Sequence, residues 1–347
     1  MKTNAQKMKQ NYDKLKLVLR YNSSKRPFIV MNPNAFSTTP NGTHKYYDEY
    51  IGLSIEYDKI PRFNNNNGTQ ELIIQFSSKI LGEHMVELIN RDTIMQCFKN
   101  INKRNLIALN LSSKLLDDFE VVLADVTMDK HADESFIQEM SDFTMSNFKN
   151  HKKNTLKLPR YPQFNIIMEN TAKTPKYKKR LTIYDKYAEI QHMQRFQHIP
   201  DYIVEQFNRV YRIERNLKTK EQVRTALHIQ SNKVSLREVL NATAQPFVEI
   251  YQEFVTMGIK QTEEKTMREE LMRCFCQIKK YDLVKIEHFL RKKYKSSYNK
   301  KIFEPYKQIC YEHIRRGATR DYSLAKKIRE FLQTPTKINE NAHVKLS

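Results

Sequence analysis

Three short segments decide the fold of this chain: EVVLADVTMD (residues 120–129), RLTIY (180–184) and YRIERNL (211–217). Polar and apolar residues alternate in each of them, which is typical of a β-strand with one buried face and one solvated face. The polar faces carry five side chains that can act in catalysis or bind a cation: Asp125, Asp129, Tyr184, Arg212 and Glu214. If the three strands are neighbours in one sheet, these side chains converge on a single surface.

A tyrosine beside carboxylates and cationic side chains suits attack on a phosphodiester. The phenol ionises at about pH 10, so it is a weak nucleophile that needs a cation to polarise the phosphate. Carboxylates such as Asp125 and Glu214 suit Mg²⁺ or Mn²⁺, and Asp129 is a secondary ligand candidate because it lies about 13 Å from Asp125 along its strand. Arg212 or Lys186 would neutralise phosphate oxygens. The alternative interpretation is an ordinary solvated sheet face.

The remaining sequence predicts more strands and several helices. Strands are expected at 14–21, 51–57, 72–76 and 164–168, and helices at 79–102 and 134–150. The basic stretch 150–161 is interpreted as a linker. The predicted fold class is therefore α+β, with a mixed or antiparallel sheet that has helices on one face, followed by an all-helical C-terminal region.

The pattern changes to helical periodicity after Leu217. Ser235 and Glu238 have the spacing of a capping box and predict the start of a helix. We therefore expect an α+β catalytic domain at 1–220, a helical basic region that binds DNA at 221–335, and a flexible tail at 336–347.

The charge of the chain favours a polyanionic partner. Lysine and arginine number 60 against 39 acidic residues, a net charge of +21, which favours nucleic acid first and a membrane surface second. Two basic stretches are predicted to hold DNA: Lys176, Lys178, Lys179 and Arg180 around the tyrosine, and Arg291, Lys292 and Lys293 among tyrosines further on. The absence of a long apolar run and of a secretory signal predicts a cytoplasmic protein without a membrane partner.

Two blocks of sequence resemble a known family. RLTIYDKYAE (180–189), followed after a helix-length gap by YRIERNLKT (211–219), resembles the paired tyrosine and arginine-glutamate blocks of rolling-circle replication initiators. The family comprises the plasmid- and transposon-type replication initiation factors, which are related to filamentous-phage initiators. VVLADVTMDKHAD (121–133) is similar to the upstream aspartate strand of the same family.

The resemblance implies a function and a role for each residue. Tyr184 would be the strand-cleaving nucleophile, Asp125 and Glu214 metal ligands, and Lys186 and Arg212 phosphate contacts. It implies a nick at an origin hairpin, a 5′-phosphotyrosyl link and a free 3′-OH for the host polymerase, with a host helicase and a second copy of the chain as further candidate partners. A DNA-binding regulator of a plasmid or phage that does not cut DNA is the alternative function, and a basic RNA-binding protein is a third.

Overall fold

The computed structural model describes residues 10–22, 27–58, 69–149, 153–157, 165–194, 199–244, 246–257, 267–319 and 322–333. Its strands are β1 Asn11–Asn22, β2 Phe28–Val30, β3 Ser37–Thr38, β4 Thr43–Asp48, β5 Leu53–Asp58, β6 Thr69–Ser77, β7 Ile107–Leu109, β8 Glu120–His131, β9 Asn154–Lys157, β10 Asn165–Asn170, β11 Arg180–Asp185 and β12 Val210–Leu217. Its helices are α1 Ile94–Lys103, α2 Leu115–Asp118, α3 Glu134–Asn147, α4 Lys186–Gln194, α5 Asp201–Glu205, α6 Lys220–Ala226, α7 Leu236–Asn241, α8 Pro246–Phe254, α9 Met267–Ile278, α10 Leu283–Tyr294, α11 Lys300–Thr319 and α12 Tyr322–Gln333. None of the helices in these ranges is both long and apolar enough to cross a lipid bilayer.

One large antiparallel sheet dominates the structure. Its strands lie in the order β3-β4-β5-β6-β1-β8-β12-β11-β10-β9, while β2 and β7 pair separately. The three segments that opened the sequence analysis are β8, β11 and β12, and they are adjacent, so the predicted common polar face is confirmed. Together with the helical C-terminal region, this sheet confirms the predicted α+β fold class.

The apolar face of the sheet is covered by helices α1, α6 and α7. Phe98 of α1 lies between the rings of Phe76 and Phe119, with centroids 6.2 and 5.7 Å away. Tyr12 of β1 is fully buried and donates a hydrogen bond to the carbonyl of Val239 in α7. Burial of these large side chains on one side of the sheet leaves the other side for the polar residues.

A β-bulge in β1 reverses the alternation of that strand. Tyr12 pairs with Val126 and Lys14 pairs with Asp125, so Asp13 is the extra residue between them. The bulge turns Tyr12 to the apolar face and Asp13 to the polar face, whereas strict alternation would do the opposite.

Two predicted elements differ from the structure. The helix expected at 79–102 is two pieces, a 3₁₀-helix at Ser78–Glu87 and then α1, because Gly82 and Leu88 have positive φ angles of 63° and 58° that no α-helix contains. The expected linker at 150–161 contains β9, which pairs antiparallel with β10. The capping box is confirmed, since Ser235 and Glu238 cap each other at the start of α7.

The described chain divides into two compact units. One comprises 10–133 and 151–251, and the other comprises 134–150 and 252–332. This division differs from the predicted boundary after residue 220, because the segment before α7 is bonded to the sheet: the amide of Val121 donates to the carbonyl of Val234 at 2.8 Å. The second unit is helical and includes α3, where Phe136 contacts Phe331 with ring centroids 5.2 Å apart. The predicted tail at 336–347 lies outside the described residues.

Candidate active site

Tyr184 and Glu214 form the centre of the polar face. Tyr184 stands near the end of β11 and pairs with Arg212 of β12, so Glu214 lies two residues further along the same face. The hydroxyl of Tyr184 donates a hydrogen bond to Oε1 of Glu214 at 2.8 Å. The structure therefore brings the residue predicted as nucleophile into direct contact with a residue predicted as a metal ligand.

Arg212, which is paired with Tyr184 across β11 and β12, links three strands. Its Nε and Nη2 donate to the two carboxylate oxygens of Asp129 at 2.7 Å each, and its Nη1 donates to Oδ1 of Asp13 at 2.9 Å. Only 1% of the Arg212 side chain is exposed. A buried guanidinium that is shared by two carboxylates has no face left for DNA, so the predicted phosphate contact does not fit the geometry of Arg212. Both oxygens of Asp129 accept from Arg212, and the ligand role of Asp129 stays a prediction.

Asp13 is the site residue that sequence reasoning missed. Its amide donates to Oγ1 of Thr127 at 3.2 Å, and its carboxylate accepts from Arg212 and from Oγ of Ser78. Strict alternation would have placed Asp13 on the core side together with Leu15, and the bulge moves it to the polar face. One signal was present in the sequence: alternation assigned Asp13 to the core, where unpaired carboxylates are almost never found.

Asp125 lies on the same face of the sheet as Glu214 but opposite a different residue of β12. It is opposite Asn216, whose side-chain amide donates to Oδ1 of Asp125 at 2.8 Å, and only 7% of Asp125 is exposed. Two residues separate Asn216 from Glu214, which corresponds to about 7 Å along β12. Asp125 and Glu214 thus share a face without sharing a contact.

The donor set fits an open cation site rather than a closed one. Within the described ranges, no group of three or more potential ligands is close enough to hold a metal ion. Mg²⁺ keeps several waters and commonly takes only one or two carboxylates together with substrate phosphates. Glu214 can offer Oε2 because its Oε1 accepts from Tyr184, and Asp13 is the second nearby carboxylate.

Burial and neighbouring charges set the protonation of these groups. Burial, and then the charge of Asp13, raise the pKa of Glu214 to about 7. Burial and the Glu214 charge also raise the pKa of Tyr184 well above 10. Burial works against ionisation of Asp13 too, but Arg212 and Lys186 outweigh it and keep the pKa of Asp13 below its ordinary value. At neutral pH, Asp13 is therefore ionised, while Glu214 is close to its midpoint.

Two lysines approach the site from the side of α4 and the 3₁₀-helix. Lys186 is 6% exposed, pairs with Glu189, and places its Nζ 5.7 Å from the ring centroid of Tyr184. Lys79 is also near, since burial and the charge of Lys186 lower the pKa of Lys79. Lys186 and Lys79 are thus cations near Tyr184 that can contact an anion such as phosphate.

The first predicted basic cluster lies at the far end of β11. Arg180 is four residues before Tyr184, about 13 Å along the strand, and the loop before Arg180 is held by Gln222, whose side-chain amide donates to the carbonyls of Pro175, Lys176 and Lys178. The cluster comprises Lys176, Lys178, Lys179 and Arg180, and all four side chains are at least partly exposed. Contrary to expectation, they do not surround the hydroxyl of Tyr184.

The second predicted basic cluster forms the exposed last turn of α10 in the helical unit, and comprises Arg291, Lys292 and Lys293. The guanidinium of Arg291 lies 4.6 Å from the ring centroid of Tyr298, and Nζ of Lys293 lies 5.7 Å from that of Tyr294. Exposed cations beside tyrosine rings match the surface that single-stranded nucleic acid uses. DNA contact by these residues stays a prediction.

Replacing Arg212 by methionine should destabilise the first unit strongly. The substitution leaves the carboxylates of Asp13 and Asp129 without their buried partner, which costs about 3–5 kcal/mol. Chemical denaturation measures the loss. Arg215→Met is the matched control, because Arg215 lies on the same strand and donates to the carbonyl of Pro246, and it should cost clearly less. Equal losses for the two variants would show that Arg212 does not organise the site.

Replacing Glu214 by glutamine should change how stability depends on pH. The folded protein holds the Glu214 proton up to about pH 7, whereas the unfolded chain releases it near the ordinary value of 4.5. Between these values the folded state binds more protons, so the free energy of unfolding falls as pH rises. Relative to Glu214→Gln, the wild type should lose about 1–3 kcal/mol between pH 5 and 8. Parallel stability curves for the two proteins would contradict the assigned burial of Glu214.

Comparison with known proteins leaves the family of the chain open. The sequence matches no protein-family model, and neither the curated proteins nor the solved structures contain a significantly similar protein.

Proposed function

We propose that this chain initiates rolling-circle DNA replication by cutting one strand with Tyr184 and remaining attached to the cut end. The observation that carries the proposal is the 2.8 Å hydrogen bond from the Tyr184 hydroxyl to Glu214, which places a carboxyl group where it can accept the phenol proton. A nucleophile in contact with such a base is the arrangement that activates a weak nucleophile.

The chemical step uses this pair directly. The phenol oxygen of Tyr184 attacks a phosphorus atom of the DNA backbone while its proton moves to Glu214. The new bond joins the tyrosine oxygen to the 5′-phosphate, and the bond from phosphorus to the 3′-oxygen breaks. The 3′-oxygen leaves, takes a proton from water and becomes the free 3′-OH. In the reverse reaction a 3′-OH loses its proton to water as its oxygen attacks the phosphorus. The bond from phosphorus to the tyrosine oxygen breaks, DNA is rejoined, and Glu214 returns its proton to the oxygen of Tyr184.

Cationic groups beside the tyrosine stabilise the charge that develops on the phosphate. Lys186 and Lys79 supply positive charge from the protein. Glu214 and Asp13 would hold Mg²⁺ or Mn²⁺ together with the phosphate, and the ion would polarise the phosphorus–oxygen bonds when bound. Asp125 is a candidate that acts through water, because Asn216 already occupies one of its oxygens.

The proposed partners are DNA and host replication enzymes. The exposed basic clusters that contain Lys176 and Arg291 would bind the origin hairpin and the flanking single strand. The 3′-OH would prime the host polymerase in the cytoplasm, with a host helicase opening the duplex. The positive net charge of +21 supports binding to nucleic acid of either kind, so binding alone does not support cleavage.

Incubation with DNA should give a covalent adduct that depends on Tyr184. The substrate is a pool of single-stranded DNA that forms stem-loops of random sequence and carries labelled phosphates within each loop. The protein is incubated with this pool and Mg²⁺ or Mn²⁺. A denaturing gel should show labelled protein for the wild type, at least a hundredfold less for Tyr184→Phe, and little in EDTA, because the first variant lacks the nucleophile and chelation removes the ion.

Tyr187→Phe is the matched control, since Tyr187 is only three residues further along the chain, at the start of α4, and its hydroxyl donates to Glu205 rather than Glu214. This variant should form the adduct normally. DNA binding without an adduct under any condition would favour the regulator that does not cut, and tighter binding to RNA than to DNA would favour the RNA-binding protein.

A further inference from the structure

A cavity of about 610 Å³ lies at the end of β1 and β8 that is remote from Tyr184. Glu120 in its wall is nine residues before Asp129 on β8, about 30 Å along the strand. The volume falls in the range of about 300–1,000 Å³ that is typical of small-ligand sites. The cavity is therefore separate from the candidate active site.

One wall of the cavity is apolar and rigid. It consists of Val18, Leu19, Tyr21 and Pro27, and the first three are less than a tenth exposed. The ring of Tyr21 is fixed by an edge contact with Phe28, with centroids 5.4 Å apart. A preformed apolar wall suits a flat ring such as a nucleobase, which loses its water contact there without requiring the protein to rearrange.

The rim of the cavity is positively charged and held in place by a buried carboxylate. Glu120 is 4% exposed and accepts from Arg20 at 2.8 Å and from Lys220 at 2.9 Å. Arg20 also donates through Nε to Glu71 at 2.9 Å, and both Arg20 and Lys220 remain about half exposed. Lys233 adds a third cation, which donates to the carbonyl of Asp117. The ammonium groups of Lys220 and Lys233 each have N–H groups beyond these bonds, which can donate to an anionic ligand such as phosphate.

Donor and acceptor groups face the cavity between the rim and the apolar wall. Asn232 accepts from Arg224 through Oδ1, so its amide N–H groups are directed elsewhere and can donate to a ligand. The carboxylate of Asp118 can accept from an exocyclic amine, as acidic side chains do when they bind nucleobases. A nucleotide combines the three properties that the cavity offers: a flat ring, an edge with donors and acceptors, and a phosphate.

We propose that this cavity binds one nucleotide, with the base against Tyr21 and the phosphate at Lys220 and Lys233. The basic loop before Arg180 lies at the same end of the sheet, because Gln222, two residues after Lys220, bonds to three of its carbonyls. A continuous polyanion could therefore reach both the loop and the cavity. An unpaired nucleotide of a single strand is the first source of the ligand, and a free nucleotide is the second.

Binding to mononucleotides and to single-stranded DNA tests the proposal independently of strand cleavage. Isothermal titration calorimetry is performed on the full chain carrying Tyr184→Phe, with each of the four deoxynucleoside monophosphates and with four homopolymeric twelve-residue oligonucleotides. Lys233→Ala should weaken binding of at least one mononucleotide about tenfold, the size expected for one charged hydrogen bond. Asn232→Tyr should abolish it by filling the cavity. Both residues are exposed, so the melting temperature should not change.

Lys103→Ala is the matched control, because Lys103 is an equally exposed lysine at the end of α1, and it should leave the affinity for mononucleotides unchanged. Parallel losses for mononucleotide and oligonucleotide identify a nucleotide of a single strand as the ligand, and loss for the mononucleotide alone identifies a free nucleotide. Affinities that are insensitive to Lys233→Ala and Asn232→Tyr would overturn the proposal. The absence of an adduct in the cleavage experiment would leave it intact, since no step here involves Tyr184.

Discussion

The buried guanidinium of Arg212 is the interaction on which the site depends. Removing a cation from water is costly unless carboxylates pair with it in good geometry. Asp129 provides a bidentate partner on β8, and Asp13 provides a third bond from β1. These bonds fix three neighbouring strands and hold the bulge of β1 in a single register. Pairing of β11 with β12 then places Tyr184 beside Arg212 and within hydrogen-bond distance of Glu214.

The same interaction divides the protons among the carboxyl groups. Arg212 and Lys186 keep the pKa of Asp13 below its ordinary value, whereas burial and the charge of Asp13 raise the pKa of Glu214 to about 7. A carboxyl group poised in this way can accept a proton from a phenol and return it later, as reversible cutting and joining requires. The sheet thus carries the hydrogen-bonded pair of Tyr184 and Glu214 at one end, and a cavity about 30 Å away along β8.

The sequence predicted the strands of the candidate site well because side-chain direction repeats every two residues in a strand. The segment 211–217 lies within β12, Val210–Leu217, and Tyr184, Arg212 and Glu214 lie on the face that alternation assigned to them. Asp13 was missed because one bulge residue reverses the alternation, and bulges leave no reliable pattern in a single sequence. The phosphate contact expected of Arg212 does not fit the structure, because Arg212 is buried against carboxylates of β1 and β8, which are distant from β12 in the sequence. The prediction of one helix at 79–102 was wrong, because the positive φ of Leu88 ends the helical turn. Leucine favours helices, so the sequence did not indicate this break.

The most direct test of the account is identification of the residue that carries the DNA. Protein trapped with cleaved DNA is digested by nuclease and protease, and the peptide that retains a nucleotide is sequenced by mass spectrometry. The chain contains 19 tyrosines, so the assignment is discriminating. The account predicts a phosphotyrosyl bond on Tyr184 alone, in a peptide that includes RLTIYDK (residues 180–186). Attachment at Tyr187 or at any other residue would contradict it.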